Sequence, residues 1–282
     1  VPLGARPEGI VADARTRLLA VVVNKPPELL LLDVGTGEER ERISLPAPAR
    51  HLQLAGAGGP VLVPSEGADA LLTVELPTGR ISDRIPTGDF PHDATTANGA
   101  VFVANEFAGT IGVIRDGRMT RTLAGHTQPG GIAAAAGAVG VVDVRRNDLT
   151  VYDARSLDRI GRAPAGSGPT HVVADRRGRM LVTDTRGNTL RIFDVRPQPR
   201  ETAAIALPGG PYGIAYDKRR DRVWVTLTGR NEVVGVDLSS TPPSVTERVP
   251  TVRQPNTVAV DPATGRVFVA GKAGSELQIV DP

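Results

Sequence analysis

The chain has 282 residues, of which 40% are hydrophobic and 23% are charged, a composition typical of a globular protein with a large apolar core. Its 33 Lys and Arg residues nearly balance 31 Asp and Glu residues, and the net charge of +2 excludes a global field that attracts nucleic acid or membrane. The lack of cysteine excludes disulfides and thiolate metal sites, and no apolar run approaches the ~18 residues of a membrane span.

The chain is built from a unit of about 40 residues that repeats from end to end. In the first unit, polar turns separate strand-like segments at Ile10–Ala12, Leu18–Val23, Leu29–Val34 and Glu41–Leu45. Their length and composition predict four antiparallel strands, A to D, in each unit. The seven units open with proline or a small residue, at Pro7, Ala49, Pro91, Pro129, Pro169, Pro211 and Pro255.

A period of this length made of short strands predicts a β-propeller, in which each unit is one four-stranded blade. We therefore predict an all-β fold, a single seven-bladed propeller over residues 1–282. Ile132–Ala136 favours helix by propensity, but its alignment with strand A of the other units predicts a strand. The last unit stops after strand C, and Val1–Gly4 is similar to the end of strand D elsewhere. The N-terminal segment is thus expected to complete the last blade and close the ring.

The predicted B strands share a motif of mostly consecutive apolar residues that ends in a polar residue. It occurs at Val101–Asn105, Leu19–Asn24, Met180–Asp184 and Val223–Thr226. These segments resemble the YVTN-repeat propellers, a family that includes the YncE-like proteins of bacterial envelopes, and the resemblance covers essentially the whole chain. It departs at Leu227 and Gly271, where the Asn is lost. The resemblance implies a binding protein outside the cytoplasm, whether secreted, periplasmic or lipoprotein-anchored. Because related seven-bladed folds include lactonases, a lactonase-like hydrolase is the implied alternative.

Polar residues gather where the predicted fold forms the mouth of its axial channel. In a propeller, the D–A and B–C connections lie on one face, so unit openings and strand-B ends surround the same mouth. His51, Asp93 and His171 share a register, two positions after the unit opening. Convergent imidazole, carboxylate and amide groups suit a polar small ligand or a protein partner. The candidate binding residues are His51, His92, Asp93, Asn105, Glu106, His126, Asp143, Arg145, His171, Asp184, Tyr212 and Asn256.

The same residues leave several interpretations open. Channel mouths are wet in any propeller, so these side chains can form a solvated rim without a ligand. No cofactor is predicted, but histidines at the mouth are suitable ligands for a metal. A hydrolase would use His92, His171 and Glu106 as acid and base and Arg145 as an anion anchor. No nucleophile–base pair is identifiable, so no catalytic residue is predicted and a non-catalytic, monomeric scaffold is favoured.

A second candidate surface lies on the opposite face, in the A–B turns of units five and six. Its basic residues are Arg176, Arg177, Arg179, Lys218, Arg219, Arg220 and Arg222. Together with Arg155, Arg159 and Arg162 of unit four, they predict a basic face on blades four to six that suits an anionic polymer such as DNA or an envelope polymer. Solvated arginine-rich turns are the simpler interpretation, and the lack of stacking aromatics in these turns weakens the nucleic-acid version.

Overall fold

A computed structural model describes the whole chain, Val1–Pro282. Its 27 β-strands form seven antiparallel sheets, and the only helical element is a 3-10 turn, Glu66–Ala68. None of its helical structure has the length and hydropathy needed to cross a lipid bilayer. The all-β fold with seven blades is therefore confirmed.

The first three blades contain twelve strands. Blade one comprises β1 (Arg6–Asp13), β2 (Leu18–Asn24), β3 (Glu28–Asp33) and β4 (Glu39–Ser44). Blade two comprises β5 (Gln53–Leu54), β6 (Val61–Ser65), β7 (Ala70–Val74) and β8 (Ile81–Pro86). Blade three comprises β9 (Pro91–Ala97), β10 (Ala100–Asn105), β11 (Thr110–Arg115) and β12 (Arg118–Ala124).

The last four blades contain fifteen strands. Blade four comprises β13 (Pro129–Ala135), β14 (Ala138–Asp143), β15 (Asp148–Asp153) and β16 (Arg159–Pro164). Blade five comprises β17 (Pro169–Ala174), β18 (Met180–Asp184), β19 (Thr189–Asp194) and β20 (Arg200–Ala206). Blade six comprises β21 (Pro211–Asp217), β22 (Arg222–Leu227), β23 (Glu232–Asp237) and β24 (Ser244–Pro250). Blade seven comprises β25 (Pro255–Val260), β26 (Val267–Gly271) and β27 (Glu276–Val280).

The first strands of the blades surround the axis, and the N-terminus closes the ring. Each first strand contacts the first strand of the next blade, including β25 of blade seven with β1 of blade one. Blade seven has three strands of its own, and the N-terminal segment pairs along β27. The Leu277 N–H donates to the Val1 carbonyl at 2.8 Å, and the Leu3 N–H donates to the Ser275 carbonyl at 2.9 Å. The expected closure by the N-terminal segment is confirmed.

Burial changes from the middle to the outer edge of each blade. The middle strands β2 and β3 are almost wholly buried, whereas the outermost strand β4 is mostly exposed and charged. A middle strand packs a neighbouring blade on each of its faces, so it is a continuous apolar run and not an alternating one. The alanine-rich β13 is a strand, as its register predicts, because small side chains fit the crowded inner position.

The hydrophobic core is divided into seven clusters, each lying between two neighbouring blades. In the largest cluster, Leu19 and Leu30 of blade one pack near Phe268 of blade seven. In another, Trp224 of blade six packs near Val258 and Val269 of blade seven. Because packing between blades supplies this core, the connections on the two faces are free to vary and to bind.

Glycines in the inner strands let neighbouring backbones approach at the axis. A Cβ on Gly9 of blade one would lie 2.4 Å from the carbonyl oxygen of Arg50. A Cβ on Gly131 of blade four would lie 2.9 Å from the Cα of His171. Only glycine fits such contacts. The close approach brings the segments that carry His51 and His171 against the channel.

Candidate functional site

A β-bulge at the start of the inner strand determines which side chains reach the axis. In blade three, Pro91 and Asp93 pair with consecutive residues of β10, so His92 is the extra residue of the bulge. The same irregularity lies between Pro169 and His171 in blade five. A bulge changes the direction of the side chains that follow it. The residue after the opening faces the mouth, and the next one lines the channel.

The residues that line the channel form an axial layer, defined as His51, Asp93 and His171. His51 Nε2 lies 3.1 Å from His171 Nε2, so histidines of blades two and five meet across the channel. The His171 Nδ1–H donates to the Tyr212 carbonyl at 2.8 Å, which leaves Nε2 of the neutral ring to accept a hydrogen bond from the His51 Nε2–H. Burial lowers the pKa of His171 to about 4 and the pKa of His51 well below its ordinary value. The pair is therefore neutral at pH 7.

Asp93 completes the axial layer beside a small cavity. Its carboxylate accepts the backbone N–H of Ala94 at 2.8 Å and that of Ile132 at 3.0 Å. Burial nevertheless raises the pKa of Asp93 to about 7. The cavity has a volume of about 60 Å³ and is lined by the axial layer together with Gln53. A polar space of this size has room for about two water molecules.

The mouth cluster, defined as Arg50, Glu66, His92 and Glu106, lies where blades two and three meet at the channel mouth. His92 Nδ1 is 3.4 Å from Glu66 Oε1 and 3.2 Å from Glu106 Oε2. Arg50 Nε is 2.9 Å from Glu66 Oε1. Burial opposes protonation of His92, but the Glu106 and Glu66 carboxylates outweigh it and raise the pKa of His92 to about 9. In this arrangement an imidazolium lies between two carboxylates.

Three atoms of the mouth cluster are buried and make no hydrogen bond: Glu66 Oε1, His92 Nδ1 and Glu106 Oε2. The side chains of these residues are only 7%, 9% and 9% exposed. Their mutual contacts satisfy the distance of an ion pair but not the direction of a hydrogen bond. A buried unsatisfied polar atom costs about 1–3 kcal/mol, so three that converge on one point mark the mouth cluster as the candidate binding site.

Glu106 is held from its other side by blade four. The Gln128 side-chain amide donates to Glu106 Oε1, and the Gln128 Oε1 accepts from Arg145 Nε at 2.9 Å. Arg145, Gln128, Glu106 and His92 thus form one polar chain that leads from the exposed rim to the buried imidazole. This chain fixes the orientation of the Glu106 carboxylate.

An aromatic platform, defined as Phe90 and Phe107, lies beside the mouth cluster. The two rings stack with centroids 4.1 Å apart, and Phe107 is 61% exposed to solvent. The Arg50 guanidinium lies 5.5 Å from the Phe90 ring centroid. Phe90 adopts a φ of 58° and its N–H donates to Asp69 Oδ1 at 2.9 Å. A strained backbone and an exposed ring in an aromatic-poor chain are both features of binding sites.

His126 lies away from the other three histidines, between blades three and four. Its Nε2 is 2.9 Å from the Tyr152 hydroxyl, and its Nδ1 is 3.9 Å from Asp143 Oδ2. Burial lowers the pKa of His126 to about 4, although Asp143 opposes that shift. The structure therefore does not bring His126 into the mouth cluster or the axial layer.

Four other candidate residues make hydrogen bonds outside the mouth cluster and the axial layer. Asn105 Nδ2 donates to Thr110 Oγ1 across its own hairpin at 3.2 Å. Asn256 Nδ2 donates to the Pro7 carbonyl at 3.3 Å, at the contact of blades seven and one. Asp143 and Asp184 each accept backbone N–H groups from the D–A connection that precedes their blade and from the turn that follows them.

Sequence reasoning missed four residues of this region, namely Gln53, Glu66, Phe107 and Gln128. Glu66 had a recognisable signal, because it follows the last residue of strand B in blade two as Glu106 does in blade three. Gln53 and Gln128 had no such signal, because nothing in their local sequence predicts that they contact the Asp93 and Glu106 carboxylates. Phe107 follows Glu106 directly, and its exposure is visible only in the folded chain.

On the opposite face, carboxylates of the same turns partly neutralise the predicted basic residues. Arg176 and Arg177 both contact Asp221, at 2.9 and 3.1 Å. The other ion pairs join Arg179 to Asp175, Arg220 to Asp217 and Arg222 to Glu247. Lys218 and Arg219 make no ion pair within the protein. The positive charge of this face is thus smaller than the number of arginines suggests.

No protein-family model and no curated protein matches the chain. Solved structures do match it. A hydrazine synthase structure of Kuenenia stuttgartiensis has a TM-score of 0.85 at 14% identity, over 98% of this chain and 95% of that one. The virginiamycin B lyase of Staphylococcus aureus has a TM-score of 0.81 at 18% identity, over 97% and 95%. The Cps50 (Swd1) propeller domain of Myceliophteria thermophila has a TM-score of 0.82 at 12% identity, over 99% and 98%. At these identities the likeness shows the propeller fold alone.

Proposed function

We propose that the protein is a non-catalytic binding scaffold that takes a polar small ligand or a macromolecular partner at the channel mouth, in the manner of YncE-like propellers. The observation that supports this most is the convergence of three buried atoms without hydrogen-bond partners, from Glu66, His92 and Glu106. Two different blades supply them, so the site depends on the assembled ring. We further propose that this scaffold acts outside the cytoplasm, as its resemblance to envelope proteins implies, and that it acts as a monomer.

The surroundings of the mouth cluster define the chemistry of the ligand. Arg50 and Arg145 are partly exposed cations at its rim, and Phe107 offers an open aromatic face. A cation beside an aromatic surface binds a molecule that has both an anionic group and an apolar face. Small carboxylic acids with a ring or an aliphatic chain, and peptides that end in such a group, have this chemistry.

A thermal-shift screen against such acids and peptides tests the proposal. A ligand that raises the Tm of the parent protein is expected to lose that effect in Arg50→Ala and Phe107→Ala. Ile81→Ala is the matched control, because Ile81 is also an exposed large hydrophobic residue but lies on outer strand β8. If the ligand still raises the Tm of the two mouth variants, or if Ile81→Ala loses the rise equally, the ligand does not bind at the channel mouth.

A hydrolase of the lactonase type is the second candidate, favoured by the contact of His92 with Glu106 at 3.2 Å. His171 contributes less than the sequence suggests, because its two ring nitrogens already meet Tyr212 and His51. Turnover of a lactone panel that disappears in His92→Ala and in Glu106→Gln would establish the enzyme and overturn the scaffold. The arginine-rich opposite face remains a proposal for anionic polymers, and its ion pairs weaken it.

A further inference from the structure

We propose that Glu66, His92 and Glu106 together bind one divalent transition-metal ion. This inference deepens the proposed function, because it assigns the chemistry of the same channel mouth. One imidazole nitrogen and two carboxylate oxygens form a ligand set that suits Zn²⁺, Mn²⁺ or Co²⁺. The chain has no cysteine, so nitrogen and oxygen ligands are the only strong ones available.

The distances among the three ligand atoms fit a single ion. His92 Nδ1 lies 3.4 Å from Glu66 Oε1 and 3.2 Å from Glu106 Oε2, and all three atoms lie within 4.8 Å of one another. A metal with bonds of about 2.1 Å requires ligand atoms about 3.4 Å apart in a tetrahedral site. One ion can therefore contact all three atoms after only small side-chain movements.

The three atoms are also available to a metal once Arg50 moves away, since Arg50 Nε lies 2.9 Å from Glu66 Oε1. Each is buried and makes no hydrogen bond within the protein. The axial histidines provide the contrast, because His51 Nε2 and His171 Nε2 are just as close at 3.1 Å but satisfy each other. The unsatisfied atoms thus distinguish the mouth cluster from the axial layer as the metal site.

Gln128 and Arg145 support the ligands from outside. The Gln128 amide donates to Glu106 Oε1, the carboxylate oxygen that does not face His92. Arg145 in turn donates to the Gln128 carbonyl at 2.9 Å. Metal-binding carboxylates are characteristically oriented by such outer hydrogen bonds.

Charge balance explains the role of Arg50. Two carboxylates that share a buried site require positive charge nearby, and Arg50 is the permanent cation beside them. A divalent ion between the two carboxylates would supply two positive charges. The Arg50 side chain is 40% exposed, so it can turn from Glu66 towards solvent when the ion enters.

Three protein ligands would leave at least one coordination position of the ion for an external molecule. Structural zinc sites usually have four protein ligands, whereas sites with three protein ligands bind an external molecule in the remaining position. The aromatic platform lies close by, because Phe107 directly follows Glu106 in the chain and the Phe90 ring is 5.5 Å from the Arg50 guanidinium. A ligand with a carboxylate oxygen can thus reach the metal while its apolar part contacts Phe107.

Titration calorimetry of chelator-treated protein with Zn²⁺, Mn²⁺ or Co²⁺ tests the site directly. We expect one ion per chain, and we expect Glu66→Gln, Glu106→Gln and His92→Ala each to weaken binding by ~100-fold or more. Gln128→Leu should weaken it by ~10-fold, since it removes only an outer hydrogen bond. With Co²⁺, visible absorption bands from nitrogen and oxygen ligation should appear in the parent and disappear in His92→Ala.

Two control variants separate the site from surface binding. Glu75→Gln removes an exposed carboxylate paired with Arg80, and His126→Gln removes a histidine outside the mouth cluster. Both should bind the ion as the parent does, and circular dichroism should show that every variant is folded. Absence of a stoichiometric ion, or binding unchanged in Glu66→Gln and Glu106→Gln, would overturn the metal site. Because this assay needs no organic ligand, its failure is distinguishable from that of the thermal-shift screen.

Discussion

Two pairs of carboxylates occupy nearly the same place in different blades, at the end of strand B, yet they differ in what surrounds them. Asp143 and Asp184 are the last residues of β14 and β18, whereas Glu66 and Glu106 directly follow β6 and β10. Asp184 Oδ1 accepts the N–H groups of Ser167, Gly168 and Gly187 at 2.8–3.0 Å. The two glutamates face His92 with atoms that make no hydrogen bond.

The distinguishing property is whether backbone N–H groups already occupy the oxygens of a carboxylate or leave them available to a ligand. A carboxylate whose lone pairs are used by backbone N–H groups stabilises its turn and has nothing left for a ligand. One residue further along, a longer side chain passes the turn and reaches the channel. The pKa values of the neighbouring histidines differ in the same way. Glu106 and Glu66 raise the pKa of His92 to about 9 against the effect of burial, whereas burial lowers the pKa of His126, beside Asp143, to about 4.

Replacing a turn acid should give the largest effect on stability. Asp184→Ala leaves three backbone N–H groups and Arg191 without their acceptor, and we expect the free energy of unfolding to fall by about 3 kcal/mol. Urea denaturation measures it. Asp194→Ala, which removes a partly exposed acid paired with Arg200, is the control and should change stability by less than about 0.5 kcal/mol. A small loss in Asp184→Ala would remove the distinction between the two pairs.

The second prediction concerns His126 and pH. Its pKa of about 4 in the fold lies below the ordinary 6.5, so the unfolded chain takes up this proton first. The stability linked to His126 is complete above about pH 6.5 and is lost as the pH falls towards 4, by up to about 3 kcal/mol. The measurement is the difference in unfolding free energy between the parent and His126→Gln at each pH. A difference that stays constant from pH 7 to 4 would contradict the low pKa.

Replacing a mouth acid should affect stability much less. In chelator-treated protein we expect Glu106→Gln to change the free energy of unfolding by about 1 kcal/mol or less. The amide can still meet Gln128, His92 keeps Glu66, and one buried charge no longer has to be desolvated. Urea denaturation beside Asp184→Ala gives the direct comparison. A fall in the free energy of unfolding as large as that of Asp184→Ala would show that Glu106 has a structural role.

The fold was predictable from the sequence because repetition makes register visible. The period located seven unit openings, and the shared register of His51, Asp93 and His171 predicts the residues that line the channel cavity. The same logic predicted β13 as a strand against its helical propensity. What repetition cannot supply is side-chain direction. Asp184 and Glu106 are both acidic residues at the end of a strand B. Glu106 lies one position further along and its side chain is one methylene longer, and these two differences direct it towards His92, whereas Asp184 contacts backbone N–H groups.

The smallest effect is expected on the opposite face, in Arg219→Ser combined with Arg220→Ser. The turn should persist because Asp217 Oδ1 accepts the backbone N–H groups of both residues, at 2.9 and 3.2 Å. Arg220 Nη1 lies 3.0 Å from the buried Asp217 carboxylate, but the Arg220 side chain is 34% exposed and the backbone donors to Asp217 remain, so stability should change by less than about 0.5 kcal/mol. Elution from a heparin column should need nearly the same salt concentration as for the parent, since carboxylates of the same turns already oppose the arginines. A clear drop in that salt concentration would identify this face as an anion-binding surface and place function on both sides of the ring.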